Sequence, residues 1–285
     1  MLVFKLKDSI PFSAREKAVF TCLCECWLRY NPKIASFLYM IMGKDPSETD
    51  YKLDFSNINI RWTPVGENYV LGSWSIVTPN TLYIGAHHIH NVDNYQGEIP
   101  EGFAPDAPIR TRIDKFELVI GEIMTAFPIV MHEFYHMFQF KGRPVGFIAM
   151  RFVTLFSKFP YYLHNVDKLK FMFPNGEQTA WLQTWNKWTE WDLEGQAEKY
   201  GNKAEGLEQF LKELGNVYQA HMFQRNLYKT YKRNLSKYGK DHEETISSKK
   251  FADGYVTETC SDASPVMFEM GTTLFNVYKK YTTMK

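Results

Sequence analysis

The order of apolar and polar residues predicts helices at the amino-terminal end of the chain. Ser13 and Glu16 have the spacing of a capping box, in which each side chain binds the backbone N–H of the other residue. The apolar pattern that follows predicts a helix from Ala14 to about Arg29. A second helical piece is predicted near Ile34 to Met42.

A change of periodicity after these helices predicts a small sheet. Apolar and polar residues alternate from Ile58 to Trp62, as in a strand with one buried face. Two further apolar stretches follow, Tyr69 to Val77 and Leu82 to Ile84, and turn residues precede each of them. The pattern therefore predicts a three-stranded antiparallel meander.

The rest of the chain is predicted to be mostly helical. Residues 91–112 are rich in Pro, Gly, Asp and Asn, which indicates a long surface loop. Helical periodicity begins after Asp114 and continues to the end of the chain. Breaks are expected near Gly142–Pro144, Pro174–Gly176 and Asp253–Gly254.

These elements predict one α+β domain that is mostly helical, with a small antiparallel sheet before its central helix. The chain has 285 residues, of which 45% are apolar, enough for the core of one large domain or two small ones. The elements favour a single domain. Its expected parts are amino-terminal helices in 1–56, the sheet in 57–90, central helices in 114–220 with an insert at 141–190, and a C-terminal helical part in 221–285.

The charge balance narrows the choice of partners. A formal net charge of +1, from 33 basic and 32 acidic residues, gives no electrostatic case for nucleic acid or an anionic membrane. Arg225 to Lys240 is locally basic, but its helical spacing is typical of a solvated face. The longest apolar stretch, Val145 to Leu163, is interrupted by charged residues and a proline, so no membrane span is predicted.

The cysteines favour a reducing compartment. Cys22, Cys24 and Cys26 lie two residues apart, closer than the usual zinc spacings, and Cys260 is distant. They are interpreted as unpaired small hydrophobic residues. No signal-peptide pattern is present at the amino terminus, so a cytoplasmic protein is expected, although a secreted chain after cleavage would look the same.

One apolar stretch contains three polar residues that suggest chemistry. In V-M-H-E-F-Y-H-M-F-Q-F, His132 and His136 are four residues apart and therefore share one face of a helix. Glu133 lies one position round from the first histidine. This is H-E-x-x-H, in which two imidazoles bind zinc and the carboxylate reaches a water on the metal. Hydrogen-bonded core histidines are the structural alternative.

A second motif follows 58 residues later. Glu194 and Glu198 are four residues apart in E-G-Q-A-E-K-Y. Together the two motifs resemble the gluzincin metallopeptidases of the zincin superfamily, in which a glutamate on a following helix completes H-E-x-x-H. The resemblance implies that Glu194 is the third zinc ligand and that Glu198 hydrogen-bonds a zinc-bound histidine. Glu190 and Asp192 are nearby competitors for the third ligand.

By that resemblance the chain is expected to be a zinc metallopeptidase with a zincin-like fold. Zn²⁺ held by His132, His136 and Glu194 would activate a water, with Glu133 as the general base, and the substrate would be a peptide or protein. Two alternatives remain open. One is a zincin-like protein that binds metal without peptidase activity, as a binding or scaffold module. The other is a helical interaction protein with no metal.

Several further residues remain open as candidates. His87, His88 and His90 are either strand-end or loop histidines near the cleft or an independent metal site. In zincins an edge strand beside the active-site helix pairs with an extended substrate, and Tyr69–Val77 or Thr81–Ile84 would fill that role. Internal pairing of these strands within the sheet is an equally good interpretation.

Oxyanion stabilisation is not assigned to one residue. His221, Tyr228 and Tyr255 have suitable side chains, and the sequence does not select among them. The apolar insert Gly146 to Leu163 is expected to wall the cleft, form a lid or pack beneath the sheet.

Overall fold

A computed structural model describes residues 9–35, 57–64, 72–74, 78–86, 115–142, 144–145, 147–148 and 193–283. Most of these residues are helical, and the four strands among them form one sheet, which confirms the mostly helical α+β class. No helix of this described part is long and apolar enough to cross a membrane.

The strands are β1 (Ile10–Pro11), β2 (Asn59–Pro64), β3 (Gly72–Trp74) and β4 (Thr81–Ala86). The helices are α1 (Ala14–Tyr30), α2 (Lys115–Gly142), α3 (Leu193–Ala197) with a π-helical continuation (Glu198–Asn202), α4 (Leu207–Tyr238), α5 (Glu243–Thr259) and α6 (Pro265–Thr283).

Helix α1 begins at the predicted capping box. The Ser13 hydroxyl accepts a bond of 3.3 Å from the Glu16 backbone N–H, and the Ser13 backbone N–H donates to the Glu16 carboxylate at 2.6 Å. The same carboxylate accepts a bond of 2.7 Å from the indole N–H of Trp62 on β2. Because Glu16 is fully buried, one side chain both starts the helix and ties it to the sheet. Of the second predicted helical piece, only residues 34 and 35 are described, and they are helical.

The sheet is mixed, so the predicted antiparallel meander is wrong. Its strand order is β1-β2-β4-β3, in which β2 and β4 run parallel and the two outer strands run antiparallel to their neighbours. Three successive residues of β4, Leu82 to Ile84, are buried. A strand buried on both faces favours the interior of a sheet. Strand β3 is short and only half-buried, and it lies at the edge.

Helix α2 carries the H-E-x-x-H motif and forms one wall of the main core. Val119, Ile123, Phe127, Val130 and Phe134 are buried at helical spacing. They join residues of α1, the sheet, α4 and α6 in one hydrophobic cluster. The helix ends at the predicted break after residue 142. The expected buried helical context of the motif is therefore confirmed.

The predicted break at Asp253–Gly254 is wrong, because α5 continues through both residues. Ala252 and Val256 flank the glycine and are buried, and Val256 belongs to a small hydrophobic cluster with residues of α4. This burial outweighs the roughly 1 kcal/mol that glycine costs within a helix. The chain instead turns at Gly239, which has a φ of 85°.

All four cysteines are buried and free, which confirms their interpretation as unpaired small hydrophobic residues. The hydrogen bond with Cys26, together with burial, raises the pKa of the Cys22 thiol. Burial raises the pKa of Cys24 and of Cys260. Since the thiolate is the form that binds metals and attacks disulfides, these three thiols are protonated and unreactive at neutral pH.

Candidate metal centre

Two histidines face each other across one turn of α2. The Nε2 atoms of His132 and His136 lie 3.1 Å apart, and the two ring planes are inclined at 84° with centroids 4.7 Å apart. His136 is buried and His132 is half-buried. The structure therefore brings the two predicted ligands together through their Nε2 atoms.

Hydrogen bonds at the other ring nitrogens fix the tautomers. The Gln139 Oε1 atom lies 2.9 Å from His136 Nδ1, and the Asn202 Oδ1 atom lies 3.3 Å from His132 Nδ1. The Gln139 amide nitrogen donates to Gln196 Oε1 at 3.2 Å, which turns the Gln139 oxygen towards His136. An amide oxygen only accepts, so in the neutral form of each imidazole these contacts favour the Nδ1–H tautomer, which leaves a lone pair on Nε2.

This arrangement fits a metal ion. With both rings in that tautomer, two lone pairs 3.1 Å apart repel unless a proton or a metal ion lies between them. Two nitrogen ligands of a tetrahedral zinc, each about 2.0–2.1 Å from the metal, are about 3.3–3.4 Å apart. Metal-ligating histidines also usually donate their other N–H to a protein acceptor. The separation of the two Nε2 atoms and the acceptors at both Nδ1 atoms are therefore compatible with a pair of metal ligands.

The π-helical segment after α3 packs directly on the backbone of His132. A Cβ added to Gly201 would lie 2.5 Å from the His132 Cα atom and 2.7 Å from its nitrogen, so no larger residue fits there. The segment from Glu198 to Asn202 is π-helical, a conformation frequent at functional sites. It places both the glycine against α2 and the amide of Asn202 beside the imidazole.

A tyrosine pair forms a second contact between the same two elements. The rings of Tyr135 on α2 and Tyr200 on the π-helical segment stack, with centroids 5.4 Å apart and planes inclined at 19°. Burial and the neighbouring Tyr200 raise the pKa of Tyr135 to about 12. The Tyr135 phenol is therefore neutral at physiological pH and adds no charge next to the histidines.

Glu133 lies beneath the edge strand of the sheet. Its side chain is buried, with 7% of its surface exposed. A Cβ added to Gly72 on β3 would overlap the Ile129 side chain and lie 3.3 Å from a Glu133 carboxylate oxygen. Glycine thus allows the β3 backbone to approach the carboxylate closely. The predicted general base lies at the sheet edge, one residue from the first histidine.

Aromatic rings cover one side of the histidine pair. The ring of buried Phe147 lies 6.5 Å from that of His136. Trp74 on β3 and Phe140 on α2 pack against Phe147, with centroid distances of 5.5 and 5.8 Å. These apolar rings exclude water from that side and lower the local dielectric around the imidazole.

The structure does not bring Glu198 to a histidine. Its carboxylate forms an exposed ion pair of 2.6 Å with Lys203. The supporting role expected of Glu198 belongs instead to Gln139 and Asn202, which sequence reasoning missed. Gln139 lies three residues after His136 on the same helical face, so helical spacing was a usable signal. No comparable signal marks Asn202, because its position depends on the π turn.

The remaining predicted ligands are not described. Glu194 belongs to α3, three residues before the buried Ala197, and its side chain lies outside the described part of the chain. Among the described side chains, no group of three His, Cys, Asp or Glu residues is arranged to hold a metal. The competitors and the second histidine cluster also lie outside the described residues: Glu190, Asp192, His87, His88 and His90.

The three oxyanion candidates are engaged within the C-terminal helices. His221 hydrogen-bonds Thr272 at 2.9 Å on α6, and burial lowers its pKa. The Tyr228 hydroxyl donates to Asp253 on α5, which raises the pKa of the phenol. Tyr255 packs against Phe223. These contacts give each side chain a structural role in joining helices.

Known proteins provide no further guide to this site. Comparison of the chain with protein-family models, with curated proteins and with solved structures finds no match in any of the three. The assignment of function therefore depends on the residues and contacts described above.

Proposed function

We propose that this protein is a zinc-dependent metallopeptidase. The observation that carries the proposal is the histidine pair, whose Nε2 atoms lie 3.1 Å apart while both Nδ1 atoms contact amide oxygens. His132, His136 and Glu194 would hold the metal. The close packing of Gly201 on α2 supports Glu194, because the gluzincin resemblance requires the third ligand on a helix beside the motif.

Protein side chains would handle the proton in this reaction. Zinc bound at the histidines would supply a Lewis acid that polarises the carbonyl and acidifies a water. Glu133 accepts a proton from the attacking water and passes it to the leaving amine. Its burial under β3 holds the carboxylate in one place for both transfers.

The strand beside Glu133 is the proposed place of the substrate backbone. Strand β4 is paired on both edges within the described sheet, with β2 and with β3, so Thr81–Ile84 is excluded from pairing with a substrate. Strand β3 is an edge strand of the described sheet, and its Gly72 lies against Glu133. An extended peptide added to β3 would therefore pass next to the general base.

Metal analysis tests the proposal directly. The purified protein is expected to contain about one zinc per chain, since a preformed histidine pair binds metal when folded. His132→Ala and Glu194→Ala should each lose the zinc, as measured by elemental mass spectrometry. Glu198→Ala is the matched control, because that carboxylate pairs with Lys203 on the same segment. It should retain the metal.

The outcomes of this measurement separate the alternatives. Zinc lost from His132→Ala but retained by Glu194→Ala would move the third ligand to Glu190, Asp192 or the histidine cluster at 87–90. A wild-type protein without zinc, even after zinc is supplied, would contradict the proposal and leave the histidines as structural residues.

Gln139→Ala is expected to weaken zinc binding about 10–100-fold. The substitution removes the acceptor for the Nδ1–H of buried His136, so the imidazole loses its fixed tautomer and orientation. Competition with a chromophoric zinc chelator measures the affinity. Gln209→Ala is the control, because its side chain bonds Glu213 on the exposed face of α4. Equal affinities in the two variants would show that Gln139 does not orient the histidine.

A further inference from the structure

A groove lies between α4 and α5, remote from the histidine pair. It encloses a cavity of about 570 Å³, with buried Ala220, Met222 and Cys260 among its lining residues. Glu117, near the start of α2, lines one end. That residue is 15 positions before His132 on the same helix, which corresponds to about 22 Å. The groove is therefore separate from the proposed catalytic centre.

One stripe of α4 lines the groove and continues beyond it. Asn216, Gln219, Phe223 and Asn226 line the cavity at alternating spacings of three and four residues, which places them on one helical face. The same spacing continues through Thr230, Arg233 and Lys237, which are all exposed. The stripe covers about 32 Å of helix, the length of about nine or ten residues of extended peptide.

The groove has amide groups and aromatic rings in reach of a ligand. Among the described residues, Asn216 and Gln219 have no hydrogen-bond partner for their side-chain amides, and both are exposed. Phe223 and Phe251 are exposed by 42% and 55%, and both contact Tyr255, with centroid distances of 4.9 and 5.8 Å. Side-chain amides match the donors and acceptors of a peptide backbone, whereas aromatic rings receive apolar side chains.

Charged side chains are distributed unevenly along the stripe. From residue 214 to residue 240 the chain contains no Asp or Glu, and Arg233 extends the stripe away from the groove. Lys237 is already engaged, because its amine donates to the Tyr238 hydroxyl and the Glu244 carboxylate of α5 acts on it. Within the described residues Arg233 has no ion pair. The Glu117 carboxylate lies at the opposite end. A ligand with carboxylates is therefore attracted at the Arg233 end.

We propose that this groove binds an extended peptide segment in which an apolar side chain is followed by carboxylates. The apolar side chain packs among Phe223, Phe251 and Tyr255. Asn216 and Gln219 hydrogen-bond the backbone of the peptide, and a carboxylate pairs with Arg233. A peptide suits the groove better than nucleic acid, because side-chain amides and an aromatic ring share one face of α4 and a carboxylate is among the lining groups. The site does not depend on the proposed zinc chemistry, so either proposal stands if the other fails.

Fluorescence anisotropy with defined probes tests the groove. The probe is fluorescein-labelled Gly-Phe-Leu-Gly-Asp-Glu-Asp-Glu, compared with the same peptide carrying lysines in place of its carboxylates and with labelled duplex DNA. The acidic peptide should bind, and Arg233→Glu should weaken it about fivefold or more. Phe223→Ala should also weaken it. Lys232→Glu is the matched control, since it makes the same charge change one residue away on another face of α4.

Three results would overturn the proposal. The first is no binding of the acidic peptide by the wild-type protein. The second is equal weakening by Arg233→Glu and Lys232→Glu, which would indicate diffuse charge attraction. The third is binding of duplex DNA that is as tight as binding of the peptide and is weakened by the same substitutions. Circular dichroism of each variant establishes that the helices are intact.

Discussion

Glu133→Gln is expected to lower peptide hydrolysis by about 10²- to 10⁴-fold, the usual contribution of a general base, while zinc content stays the same. The amide has nearly the shape of the carboxylate and lies in the same buried place beneath β3. It cannot accept the proton of the attacking water. Cleavage of a pooled library of internally quenched peptides gives the rate, and elemental analysis of the same samples gives the metal.

Glu122→Gln provides the control for this experiment. It makes the same chemical change on the same helix, outside the H-E-x-x-H motif, and should leave both rate and zinc content unchanged. Full activity in Glu133→Gln would remove the proposed mechanism. A wild-type protein that holds zinc but cleaves no peptide of the library would favour the alternative of a metal-binding module without peptidase activity.

Gly201→Ala is expected to lower the free energy of unfolding by about 1–3 kcal/mol, the usual range for overpacking a buried site, and to weaken zinc binding. The added Cβ would lie 2.5 Å from the His132 Cα atom. Backbone atoms on both sides leave no flexible side chain to move, so the two elements must separate. Denaturation in urea measures stability, and chelator competition measures zinc affinity.

Gly121→Ala is the matched control on α2. A Cβ there meets no atom within 4 Å, and alanine favours the helix by roughly 0.5–1 kcal/mol over glycine. The control should therefore be more stable than the wild type, with unchanged zinc affinity. Equal stability of Gly201→Ala and wild type would show that the close packing against His132 is not maintained in solution.

Local sequence patterns predicted the elements that depend on neighbouring residues. The capping box at Ser13 and Glu16 is formed as predicted. The motif histidines face each other because a spacing of four fixes their common side on a helix. Strand positions were also close to the structure, since alternation reflects burial of one face.

Features that depend on contacts between distant parts of the chain were not predicted from the sequence. The parallel pairing of β2 with β4 joins strands about twenty residues apart with β3 on the far side of β4, and turn residues between strands do not reveal this order. The amide of Asn202 reaches His132 only because the π turn and Gly201 position it. At Gly254, tertiary burial of adjacent residues outweighed a local helix-breaking signal.

The number of residues in the π-helical segment sets how the chain after α3 is rotated relative to α3. A π turn holds one more residue per hydrogen-bonded ring than an α turn, so the segment behaves as an α-helix with one residue inserted. Without the extra residue, everything after it would rotate by about 100° relative to α3. Glu194 precedes the π-helical segment, whereas Gly201 and Asn202 are its last two residues. The proposed ligand Glu194 and the residues that contact His132 can therefore both face α2 only if the segment keeps this length.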